Sequence, residues 1–115
     1  MKTVVFDFDG VIHSYTSGWQ GEDVIIDPPV PRIKAAIDDI RDHGYQVVVV
    51  STRCATTAGE DAVRRYLCQH GIVVDDVMGQ KPPAIVYVDD RAICFDGDAQ
   101  GLLQKILAFR PWNQA

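Results

Sequence analysis

Three short runs of β-branched and aromatic residues constrain this 115-residue chain most, because each ends in side chains able to do chemistry. Thr3 to Phe8 ends at Asp7-Phe8-Asp9-Gly10, and Gln46 to Val50, with four consecutive valines, ends at Ser51-Thr52-Arg53. Ala84 to Val88 ends at Asp89-Asp90-Arg91. Short runs that are apolar throughout and bounded by turn residues read as buried strands. Between them the periodicity turns helical. Pro31 to His43 repeats Ile33, Ala36, Ile37 and Ile40 and stops at Gly44. Thr57 to His70 sets Ala62, Val63, Tyr66 and Leu67 on one face and stops at Gly71. Val73 to Met78 reads as a short third strand, Ile93 to Phe95 as a small edge strand, and Ala99 to Ala108 as a last helix. This alternation predicts an α/β fold: a three-layer, Rossmann-like parallel sheet with helices on both faces.

Length and the absence of any internal repeat predict one domain over residues 1–115. The formal net charge of -5 argues against a broad grip on nucleic acid, which needs clustered Lys and Arg. The three cysteines, Cys54, Cys68 and Cys94, form no CxxC pair, so neither a zinc ribbon nor a redox motif is indicated. Free thiols in a reducing cytosol fit them best. The apolar stretch before Asp7 is too short for a signal peptide, and no run approaches the roughly 18 apolar residues of a membrane span. The expected location is cytoplasmic, with no membrane contact.

In an open parallel sheet, ligands bind outside the carboxyl ends of the strands. The three strand ends therefore converge, and Lys81 lies close enough in sequence to Asp89 to join them. Asp7, Asp9, Asp89 and Asp90 gather too much negative charge for one place without a cation. Magnesium suits such oxygen ligands together with substrate phosphate. A carboxylate can attack a phosphoryl group to give an aspartyl-phosphate. Lys81 and the metal would neutralise the nonbridging oxygens, and Ser51 would donate a hydrogen bond to one of them. Asp9 would protonate the leaving oxygen and then activate water.

The chain resembles the haloacid dehalogenase superfamily, whose members are mostly phosphatases. That resemblance rests on Asp7-Phe8-Asp9-Gly10-Val11, then Ser51, then Lys81, then Asp89-Asp90, which arrive in the family's order. It implies that Asp7 is the nucleophile and Asp9 the general acid/base. It also implies a magnesium site made by Asp7, the Asp9 carbonyl and Asp89, with Asp90 close by. The family usually inserts a cap domain; here the gaps hold only the Val11 to Pro31 connection and a single helix, which resembles the capless subgroup. Capless members often act on large substrates or borrow a lid from another subunit. The expected partner is thus a phosphorylated substrate (a small molecule, a nucleic-acid end or a phosphoprotein), with an assembly of copies as a source of the missing lid. Polynucleotide 3′-phosphatases use a related domain.

Other readings stand beside this one. A receiver-like signalling domain also uses clustered Asp, Ser or Thr, and Lys, but places the acidic pair first and the Lys late. A non-catalytic module with a metal site is the third. At single positions, Ser51 also fits a helix cap, Lys81 a solvated lysine and Asp90 a turn. His13 is a candidate substrate contact near the first motif, and Arg53 either binds a substrate anion or makes a surface salt bridge. The connection from Val11 to Pro31 reads as a flap or hairpin over the site. Its Tyr15 and Trp19 would either pack it down or stack on a ring.

Overall fold

The computed structural model describes residues 2–113. At its centre is β1 (Thr3–Asp7), flanked by β2 (Gln46–Val50) and β4 (Val86–Val88), with β3 (Asp76–Met78) outside β2. The order is β3-β2-β1-β4, and all three pairings are parallel. The apolar runs go to the middle because a central parallel strand is shielded on both faces. Val4, Val5, Phe6, Val47, Val48 and Val49 are all buried.

Helices α1 (Ile33–Asp42) and α2 (Thr57–Gln69) follow β1 and β2. Ile37 of α1 and Val63, Tyr66 and Leu67 of α2 share one apolar cluster with Val4, Phe6, Phe8, Val47, Val49 and Val77. Both helices use one face because β1, β2 and β3 step in one direction through right-handed crossovers. The other face holds a smaller cluster of Val5, Val48 and Val50, against which Met78 and Ala84 pack. The chain then crosses to the far side of β1 to form β4, and α3 (Leu102–Ala108) follows. The α/β fold expected from the alternation is therefore present.

Three expectations need correction. Ile93 to Phe95 forms no strand, and Phe95 is exposed. A three-residue run with no packed face gains too little to offset its ordering entropy. Helix α1 begins at Ile33 rather than Pro31 because Arg32 takes a left-handed conformation with φ 68°. Helix α3 likewise begins after Gly101, at φ 82°, not at Ala99.

The long connection after β1 is an irregular, tightly stitched loop, not a hairpin. Its ends run against each other: Val30 N–H donates to the Ile12 carbonyl at 2.8 Å and Ser14 N–H to the Pro28 carbonyl at 3.0 Å. The Asp27 carboxylate accepts from the Ser17 N–H at 2.8 Å and its hydroxyl at 2.6 Å. Tyr66 of α2 donates to the Asp27 carbonyl at 2.9 Å, which docks the loop on the helical layer. Among the described residues, no helix is long and apolar enough to cross a membrane.

Candidate active site

Register brings the strand ends together. Asp7 lies opposite Val50, so Ser51 follows directly beside it. Phe6 lies opposite Val88, so Asp89 emerges next to Asp7 on the other side. A cavity of about 490 Å³ opens there, lined by Asp7, Asp9, Ser51, Lys81, Asp89 and Asp90 among others. The site thus sits where the sheet topology directs it, at the carboxyl ends beside the reversal of strand order.

Asp7, Asp89 and Asp90 each offer a carboxylate oxygen, and these oxygens lie within 4.8 Å of one another. Burial, a hydrogen bond with Asp90 and the charge of Asp89 push the Asp7 carboxyl up to about 8. Three half-buried carboxylates at this spacing repel one another, and their donor set is what a hard divalent cation takes. The residues present therefore fit magnesium. The side chain of Asp9 is not part of this cluster.

The Asp9 carboxylate is instead clamped from both sides. Oδ1 lies 2.8 Å from His13 Nδ1, and Oδ2 accepts from Arg53 Nε at 2.8 Å. Burial favours its neutral form, but the hydrogen bonds from His13 and Arg53, with the Arg53 charge, outweigh burial and hold the carboxyl below its ordinary range. His13 Nε2 accepts from the Asp27 N–H at 3.2 Å, which assigns the ring proton to Nδ1, facing Asp9.

The expected surface salt bridge for Arg53 needs correcting, because its ion pair with Asp9 is internal. Its side chain is fully buried. Nη1 donates to the carbonyls of Gly21 (2.8 Å), Glu22 (2.9 Å) and Val24 (3.3 Å), so the residue ties the loop to Asp9. His13 is also buried, at 1% exposure, which places it behind Asp9 and away from an incoming substrate. Ser51 is buried at the cavity wall, and its hydroxyl accepts from the Arg53 N–H at 3.1 Å, so it does cap the 3-10 turn Thr52–Ala55. Its hydroxyl hydrogen remains available for an anion in the cavity. Lys81 is half exposed, with Nζ 3.4 Å from Asp89 Oδ2.

Two supports were not foreseen. Asp27 orders both His13 and Ser17, and nothing in its local sequence marks it. Trp112 Nε1 donates to the Gly10 carbonyl at 2.6 Å, fastening the C-terminal segment to the turn after β1.

No protein-family model matches the sequence, and no curated protein matches it. Solved structures do share its fold. A chain of a Pnkp1/Rnl/Hen1 complex aligns with 98% of this chain at 16% identity and a TM-score of 0.58. A chain of the Pnkp1/Rnl/Hen1 RNA repair complex aligns with 92% at 18% identity and a TM-score of 0.54. This chain spans only 36% and 30% of those two chains. A D,D-heptose 1,7-bisphosphate phosphatase from B. bronchiseptica, complexed with magnesium and phosphate, aligns with 83% of this chain and 56% of its own at 26% identity, with a TM-score of 0.48. Fold and site together define a Rossmann-like α/β domain with an acidic centre at its strand ends. More narrowly, it is the haloacid dehalogenase-like fold without a cap domain among the described residues.

Proposed function

We propose that this chain is a magnesium-dependent phosphomonoester hydrolase that works through an aspartyl-phosphate on Asp7. The observation that carries this reading is the gathering of the Asp7, Asp89 and Asp90 carboxylates within 4.8 Å, in a cavity that Lys81 and Ser51 also line. Asp7, Asp89 and Asp90 would hold the metal. Bound there, magnesium would supply the positive charge that keeps Asp7 ionised and offsets charge on the phosphoryl oxygens.

The chain's own residues then divide the work. An Asp7 carboxylate oxygen attacks phosphorus while the bond to the leaving oxygen breaks. Lys81 Nζ and the Ser51 hydroxyl serve the nonbridging oxygens. Asp9 rests ionised between His13 and Arg53. An incoming phosphate dianion raises its proton affinity, which loads it to protonate the leaving oxygen. In the second half, water attacks the aspartyl-phosphate and Asp9 takes its proton.

The open cavity suits a small phosphorylated molecule, a nucleic-acid end or a phosphoprotein. The fold shared with a chain of an RNA repair complex supports including the nucleic-acid end. The test is release of inorganic phosphate from an aryl phosphate, with magnesium and with chelator. Activity is expected only with magnesium, and Asp7→Asn is expected to lower kcat at least a thousandfold. An active Asp7→Asn protein would sink the assignment. Magnesium binding without turnover across a broad phosphate panel would favour the non-catalytic module.

A further inference from the structure

Trp19 is out of place for a packing residue. Large aromatic side chains usually bury most of their surface, yet Trp19 is 55% exposed while lining the site cavity. It is not loosely held. The Arg53 guanidinium carbon lies 4.6 Å from the indole centroid. Arg53 is itself immobilised by Asp9 and three loop carbonyls. Ser17, two residues before, is locked by both oxygens of Asp27. Tyr15, the second aromatic on this wall, takes φ 61°, a left-handed conformation unusual for a bulky residue. Its ring meets the His13 ring at 5.9 Å, tilted by 70°. Strain of this sort persists where surrounding contacts fix it, and it concentrates at ligand sites.

The loop therefore holds two rigid rings at the cavity, one of them backed by a buried cation. We propose that Trp19 is a stacking platform for the leaving group, and that the substrate is a nucleotide, free or at a strand end, whose base lies on the indole. This rests on the phosphohydrolase reading above. The chemistry of the wall favours a nucleotide over a phosphotyrosine side chain, and the cavity volume favours a ligand larger than phosphate alone. Beyond Ser51 and Lys81, which serve the phosphoryl group, the wall presents Thr52 and Arg91, which the hydroxyls of a ribose can pair with and a phenol ring cannot. A cavity of about 490 Å³ is also the size of sites that enclose whole ligands of roughly 300–1,000 Å³, beyond what one phosphate needs. The net charge of -5 confines recognition to about one nucleotide, because a longer polyanion needs a basic track.

The test compares kcat/KM with magnesium for adenosine monophosphate, a trinucleotide with a terminal phosphate, ribose 5-phosphate and a phosphotyrosine peptide. The nucleotide is expected to exceed ribose 5-phosphate by about 5- to 150-fold, the range that stacking a base on an aromatic side chain gives. Trp19→Ala is expected to erase that ratio, and Trp19→Phe to keep most of it. Adenosine monophosphate against the trinucleotide separates a free nucleotide from a strand end. Equal rates for nucleotide and ribose phosphate, a ratio that survives Trp19→Ala, or a tenfold preference for the phosphotyrosine peptide would each overturn the proposal. Absence of all turnover would instead count against the phosphohydrolase. The platform then stands on Trp19 emission in a Trp112→Phe background: adenosine monophosphate should quench it and ribose 5-phosphate should not. Without that difference the platform is refuted.

Discussion

Gly10 shows how little room the site leaves. It takes φ 82°, and a Cβ added there would run into the Asp90 carboxylate. Gly10→Ala should therefore weaken magnesium binding at least tenfold by titration, besides costing about 1–2 kcal/mol of stability from the left-handed backbone. Asp7 gives a second test at this scale. In the metal-free protein its carboxyl sits near 8, against an ordinary value of 3.8. Between these values the folded chain holds more protons than the unfolded one, so stability falls as pH rises from about 4 to 8. Melting curves with chelator should show this decline in the wild type and a weaker one in Asp7→Asn. Carboxyls held low, such as Asp9, act oppositely: their stabilisation is present above about pH 4 and is lost on further acidification, so the difference between the two proteins isolates Asp7. A pH-independent difference would contradict the crowding of the three carboxylates. The candidate carboxylates were legible from the sequence because each ends an apolar run. The burial of Arg53 was not, since its partner Asp9 stands 44 residues away and no local pattern marks a long-range ion pair.

Among the elements, the segment from Ser51 to Gln69 is the most finely fitted. Ser51 caps the 3-10 turn, and Thr56 caps α2 by accepting from the Gly59 N–H at 3.1 Å. Gly59 sits where a Cβ would meet the Arg53 carbonyl. Alanine favours a helix by up to about 1 kcal/mol over glycine, yet Gly59→Ala should lower the urea midpoint, because backbone cannot yield as a flexible side chain does. A raised midpoint would show that the turn has slack. Sequence periodicity located α2 to within a residue, Thr57 to His70 against Thr57–Gln69, because its buried face is strongly patterned. It overextended α1 and α3, whose starts are set by left-handed residues, Arg32 and Gly101. The length of the connection after β1 also suggested a flap or hairpin. What fixes that loop is its polar bonding through Asp27 and Arg53, and hydrophobic periodicity carries no record of it.

At the scale of the whole molecule, the order β3-β2-β1-β4 does the assembling. It sets β1 between β2 and β4, so residues far apart in sequence line one cavity, with no cap among the described residues. The alternation of strands and helices made that convergence readable in advance. It carried no information on the depth of the cavity or the loop wall that Trp19 and Tyr15 supply. The central claim is that Asp7 accepts the phosphoryl group. The most direct measurement is rapid acid quench of the enzyme during turnover of a radiolabelled phosphomonoester, followed by peptide mapping. The account predicts a hydroxylamine-labile phosphoryl group on the peptide containing Asp7, magnesium-dependent and absent from Asp7→Asn. Turnover by the wild type with no label on that peptide at any quench time would contradict it.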